Sequence, residues 1–338
     1  PDFRHMLLQT LLAGSLLSAG SASRIKLART PGGWVFERNN QPLPFVVGLN
    51  HLQSLFGQCE DDDNECIEAD LFAKKYGSNH TNASLAALAQ FRSWGFNGAG
   101  YNAPPEHMEA LPFFAACFTL TNGSGGANPW RPKADFFFPD PWDIVATKSM
   151  LEDKIQRKCK EVEPYRRNLL GYLWTDFPAY DIRKAQQSHG QDYVTSLRLQ
   201  ASASPGRQQY THFLQGRYAT VAALCAAYGL TNSSCVGQSW STLDLAGKPL
   251  EARNTRIPAM LADDYRFLPA VVDQLYSRTY NATRACDPEG LIFGDTLVRE
   301  WAAPMRSLLP VAARYVDGLS LQPSGGMTDG SGGTGSGH

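Results

Sequence analysis

The sequence carries no GxxxxGK[ST] run, and no GxGxxG run joins a strand to a helix. The glycine-rich backbone that cradles nucleotide phosphates is therefore not signalled, and nothing supports a nucleotide or redox cofactor. HExxH is missing, as is any CxxC or Cys/His spacing of a zinc site. The nearest approach to a nucleophile elbow is "GQSWS" at Gly237, where Ser241 replaces the second glycine and no strand precedes it. An excess of either charge is also missing: 31 Lys and Arg against 32 Asp and Glu leave a formal net charge of −1. Such a balance offers no electrostatic reason to expect nucleic acid or an anionic membrane as a partner. The apolar run from Leu7 to Leu17 is too short to span a bilayer.

What the chain does have points to export. The run starting at Met6 passes through that apolar core to small residues ending at Ser21-Ala22-Ser23, with Arg4 and His5 just before it. Residues 1–23 read as a secretory signal peptide, with residues 1–5 upstream of the start methionine. Sequons begin at Asn79, Asn82, Asn122, Asn232 and Asn281. Together with the leader they predict surface positions in a secreted glycoprotein. Seven cysteines fit an oxidising compartment. Cys59 and Cys66 flank a polar loop, and Cys225 and Cys235 flank "AAYGLTNSS", so each pair could close a short loop. Cys117, Cys159 and Cys286 remain, and the odd count leaves at least one thiol unpaired within the chain. The Asp61-Asp62-Asp63 run lacks the alternation and glycine of a calcium loop and reads as a solvated acidic loop.

Between residues 24 and 323, short apolar strands alternate with amphipathic stretches. "WVFERNNQPLP" predicts a hairpin, followed by a buried strand over Phe45–Leu49. A helix from Ala83 to Trp94 leads into a second strand over Phe96–Gly100, and "LPFFAACFTL" supplies a third. "DPWDIVATKSMLEDKIQRKCKEV" is a helix capped by Asp140 or Asp143, and "NLLGYLWTD" is the fourth strand. A helical insertion follows, about residues 181–260, with one helix running to Gly229. "ADDYRFLPAVVDQLYSRTYNATRACDP" is a further helix, "GLIFGD" a fifth strand, "PMRSLLPVAARYV" a helix and "VDGLSLQ" a sixth strand. Residues 324–338 form a Gly/Ser-rich tail that reads as disordered. The alternation predicts an α/β fold with a parallel sheet, of the (β/α)8 TIM-barrel type, in which six of the eight strands are recognisable.

Chemistry in such barrels sits at the C-terminal ends of the strands. Those ends hold Asn50 and His51, Tyr101 and Asn102, Asp176 after Trp174 and Thr175, Asp295, and Gln322. Trp130, Trp142 and Trp301 stand near in sequence to other strand ends. Amides and carboxylates bind sugar hydroxyls, and aromatic faces stack on pyranose rings, so the inventory suits a polysaccharide or oligosaccharide cleft. Glycosidic cleavage usually needs two carboxyl groups. Asp176 and Asp295, on neighbouring strands, are the candidate catalytic pair, with Asn50, His51, Tyr101, Asn102, Trp174 and Gln322 as substrate contacts. Asp263 and Asp264 could reach the site from the insertion or simply stabilise a helix N-terminus.

The ordered motifs "PFVVGLNHL", "FRSWGFNGAGYNAP", "FPDPWD", "LLGYLWTDFPAYD", "SPGRQQYTHFL", "DDYRFL", "DPEGLIFGD" and "YVDGLSLQP" resemble agarase-like glycoside hydrolases, from about Gly33 to Pro323. The resemblance implies a clan A type barrel and hydrolysis of O-glycosidic bonds in an agarose-like galactan. Many relatives end the fourth strand in Asp-Asn-Glu, whose Glu is the acid/base; here the matching run is Thr175-Asp176-Phe177-Pro178, and only Asp176 can carry that role over. Relatives with Gly-Asp-Arg-Tyr after the fifth strand match Gly294-Asp295-Thr296-Leu297, without the Arg. The clan's nucleophile follows a seventh strand, for which no residue is nominated. A catalytically inactive carbohydrate-binding relative and a truncated gene product are the alternatives.

Overall fold

A computed structural model of the chain describes residues 23–50, 52, 74–77, 79–117, 119, 138–176, 180–189, 192–230, 235, 237–243, 257–298 and 305–322. Residues 1–22 of the expected leader, His51, Cys59 and Cys66 with the acidic run between them, the sequons at Asn122 and Asn232, Trp130, Trp301 and residues 324–338 lie outside the described residues.

The predicted hairpin forms the core of an antiparallel meander, β1 (Lys26–Thr30), β2 (Gly33–Arg38) and β3 (Gln41–Pro42). Asn39 and Asn40 make its second turn with φ of 54° and 60°. Asparagine tolerates this left-handed region, and two such residues in succession match the twist of a tight hairpin. Phe36 of β2 lies over Phe293 and Phe114, with centroids 5.9 and 6.4 Å away. Arg38 donates to the Asn168 side chain at 2.8 Å, just before the central strand begins. The meander is thus fastened at the N-terminal ends of the main strands, opposite the end where the candidate residues lie.

The main sheet contains β4 (Gly48–Leu49), β5 (Gly98–Ala99), β6 (Phe113–Ala116), β7 (Leu169–Asp176), β8 (Ile292–Val298) and β9 (Ser320–Gln322). These six strands are hydrogen-bonded in chain order, every pair parallel, as a curled half-barrel. Eight-strand closure is not seen among the described residues. The predicted strand over Phe45–Leu49 shortens to two paired residues, and Phe45 is 89% exposed. That strand lies at the end of the sheet, so a neighbour covers it on one side only.

Residues of β7 divide between two clusters, as the pleat requires. Tyr172 and Trp174 join the large core beneath the helices. Leu173 joins Tyr101, Ala116, Phe114 and Phe293 on the inner face. The helices of the outer layer are α1 (His80–Ser93), α2 (Pro105–Ala110), α3 (Ile144–Val162), α4 (Ile182–His189), α5 (Tyr193–Arg198), α6 (Pro205–Arg217), α7 (Val221–Ala227), α8 (Pro258–Cys286) and α9 (Met305–Ala312). The 29-residue α8 packs against α3, where buried Arg278 pairs with Glu152 at 2.7 Å.

Local chemistry explains where the helix boundaries depart from expectation. α1 begins three residues early because the Asn79 side chain accepts from the Asn82 amide at 2.9 Å. The single helix expected up to Gly229 is two, because Thr220 caps α7 through the Ala223 amide. The stop itself is as expected: Gly229 has φ of 67°, and the Leu230 amide reaches back to the Cys225 carbonyl. Of the two capping candidates for α3, Asp143 caps it, while Asp140 accepts from the Gly206 amide at the start of α6. α8 starts at Pro258, so Asp263 and Asp264 lie beyond its first turn.

Candidate active site

Three groups of predicted residues lie at the C-terminal strand ends. At the ends of β4 and β5, the exposed Asn50 amide occupies the space beside Gly100 where a side chain would stand. Tyr101 follows, buried in the inner-face cluster, and Asn102 turns the chain with φ of 58°. At the end of β9, Gln322 pairs in register with Val298 of β8.

The third group lies at the ends of β7 and β8. Asp176 pairs in register with Thr296, so Asp176 and Asp295 stand on adjacent strands at nearly the same level. Trp174 is 1% exposed and fills the core, with its ring 5.0 Å from that of Tyr276 and its indole N–H bonded to Thr283. It is a packing residue in this structure, with no face open to a ligand.

The Asp295 side chain turns toward the helix layer. It is 4% exposed and lines a cavity of about 10 Å³ with Thr119, Thr175, Tyr180, Leu275 and Tyr276. Such a space holds about one water and excludes a sugar ring. The Tyr180 hydroxyl donates to Asp295 Oδ2 at 2.6 Å. Thr175 and Tyr276 lie beside it as lining of the same cavity. Burial pushes the carboxyl up to about 6, although the Tyr180 hydrogen bond favours the charged form. The Thr119 hydroxyl lies 2.7 Å from that of Thr175 and extends the network to β6's continuation.

Asp263 and Asp264 are remote from this group and fully buried on α8. Asp263 accepts from Arg217 at 2.7 Å, Tyr218 at 2.6 Å and Tyr228 at 3.0 Å, and Asp264 accepts from Tyr210 at 2.6 Å. They bind α6 and α7 to α8 and correct the reading of them as site or helix-terminus carboxylates. Among the described residues, no group of three or more His, Cys, Asp or Glu side chains could hold a metal ion.

No family model and no curated protein matches the chain. Solved structures do. The fold is agarase-like. An exo-β-agarase is similar over 74% of this chain, with a TM-score of 0.54 and 24% identity. PfGH50B and the agarase AgWH50C each give a TM-score of 0.63 at 16% identity, over 89% and 94% of this chain. The chain spans 33%, 49% and 53% of the lengths of these three proteins. In an agarase-like fold, Tyr180 and Tyr276 are the residues that sequence reasoning missed. Tyr180 stood in the quoted stretch "LLGYLWTDFPAYD", but only the folded chain reveals which carboxylate its hydroxyl meets.

Proposed function

We propose that this chain is an exported glycoside hydrolase that cleaves O-glycosidic bonds in a polysaccharide, an agarose-like galactan. The register of Asp176 beside β8, at the C-terminal edge of an all-parallel curled sheet, carries the reading. In it Asp176 is the acid/base, and Asn50, His51, Tyr101, Asn102 and Gln322 contribute substrate contacts near the strand ends. The agarase-like fold supports the substrate class. Export is supported by the exposed sequon asparagines Asn79, Asn82 and Asn281 and by two cysteine pairs at disulfide distance. No helix among the described residues is long and apolar enough to cross a membrane. Reducing-sugar release from agarose and porphyran, with Asp176→Asn as the control, tests the reading; undiminished release by the variant sinks the assignment.

One observation favours a second reading. Asp295 is enclosed in a water-sized cavity, so the carboxyl expected to partner Asp176 is engaged elsewhere. A carbohydrate-binding protein without turnover would need no such partner. Calorimetry with agarose oligosaccharides separates the two: heat of binding without product supports the second, and any turnover excludes it.

A further inference from the structure

Asp176 ends β7, and the next described residue is Tyr180. The residues on either side of this interval, Thr175 and Tyr180, both meet Asp295: Tyr180 hydrogen-bonds to its carboxylate, and Thr175 lines the same small cavity. They come from one chain segment, whereas Asp295 belongs to the neighbouring strand. Tyr180 is 2% exposed, and its hydroxyl has this carboxylate as its acceptor at 2.6 Å. Thr175 is 1% exposed, lines the cavity with Asp295, and has its hydroxyl 2.7 Å from that of Thr119. Tyr276 of α8 lines the cavity as well, which packs the arrangement against the longest helix.

We propose that Asp295 is a positioning residue that grips Tyr180, packs beside Thr175 and thereby fixes where Asp176 stands at the end of β7. The inference rests on the reading of Asp176 as the acid/base and gives Asp295 a different task from that of a second catalytic carboxylate. A buried carboxylate that accepts from a buried hydroxyl resists displacement, because a donor that leaves it is stranded away from water. A catalytic group must be held within a fraction of an ångström to be effective, and contact on both sides of it is a direct way to achieve this.

Three variants test the grip in the full chain. Tyr180→Phe removes the donor and keeps the ring, Thr175→Val removes a neighbouring hydroxyl, and Asp295→Asn weakens the acceptor. Hydrogen–deuterium exchange of the amides at 174–182 is compared with that of α3 and α8. The expected result is exchange on the order of tenfold faster at 174–182, with the helices unchanged. Exchange that stays at the wild-type rate in folded Tyr180→Phe protein overturns the proposal, whether or not Asp295→Asn folds. On agarose oligosaccharides, kcat should fall roughly tenfold to a hundredfold in Tyr180→Phe, with KM held within about twofold. A proportionate rise in KM with kcat intact overturns positioning in favour of a binding role. Wild-type protein that releases no sugar overturns the hydrolase reading instead, and the exchange result alone then decides whether the grip exists.

Discussion

The indole N–H of Trp174 donates to the Thr283 hydroxyl at 3.1 Å, tying the strand that ends in Asp176 to the last turns of α8. The Thr283 hydroxyl in turn donates to the Thr279 carbonyl at 2.8 Å, so the chain of bonds is complete. Trp174→Phe removes a donor and leaves a void beside Tyr276. The expected loss is roughly 1–3 kcal/mol, read from urea denaturation followed by circular dichroism.

Asp287, buried after the end of α8, accepts from Arg24 through both terminal nitrogens, at 2.6 and 2.5 Å, and from Tyr172 at 2.9 Å. This joins the segment before β1 to the end of α8 and to β7. Arg24→Ala should cost about 1–3 kcal/mol, because it removes two charge-assisted hydrogen bonds from a buried carboxylate and leaves it only Tyr172 and Arg166. A change below 1 kcal/mol in the unfolding free energy would contradict that account.

The two buried carboxyls titrate with opposite consequences. Burial raises Asp295 to about 6 from an ordinary 3.8, so between those values the folded chain binds more protons than the unfolded one. Its contribution therefore weakens stability as pH rises from 4 to 6. Burial would raise Asp287 too, but the Arg24 hydrogen bonds and charge, Tyr172 and Arg166 hold it below 3.8. That contribution is present above pH 4 and is lost as pH falls further. Melting temperatures across pH 2–7 should show a flatter slope between pH 4 and 6 in Asp295→Asn, provided that variant folds. Asp287→Asn should lose its acid-side slope.

Cys225 and Cys235 sit 5.9 Å apart at Cα, and Cys159 and Cys286 sit 6.2 Å apart, both suited to disulfides. The first pair spans 10 residues and the second 127. Chain entropy assigns them about 3 and about 5 kcal/mol, respectively. Replacing both members of each pair by Ala should therefore lower stability more for Cys159 and Cys286. Cys117 is free and buried, and burial pushes its thiol up to about 12, so thiol reagents should leave it unmodified in the folded chain.

Gly294 precedes Asp295 with φ of 65°, and a Cβ there would lie 2.8 Å from Val316 Cγ1. Gly294→Ala meets both a strained backbone and a collision. A loss of at least about 1–3 kcal/mol is expected, with faster amide exchange in β8 as the local sign.

Local features were legible where their cause is local. The Asn39-Asn40 turn, the stop at Gly229 and the Cys225–Cys235 loop each depend on residues a few positions apart. The strand "NLLGYLWTD" was legible because an apolar run bounded by polar residues suits a strand covered on both faces. The break between α6 and α7 was missed because Thr220 sits within an otherwise continuous helical pattern. Cys159 and Cys286 gave no pairing signal, since their partners are 127 residues apart.

The amino-acid sequence alone determined the alternation of strands and helices, and hence the parallel α/β sheet, because periodicity and capping act over a few residues. It also determined that Asp176 ends a strand. Only the tertiary structure decided which way Asp295 faces. A bulge at Gly294 and the approach of Tyr180 and Tyr276 from other segments turn that carboxyl toward the helices. Side-chain direction at a strand end depends on what packs against it, and the packing partners here are separated by up to 115 residues in the chain.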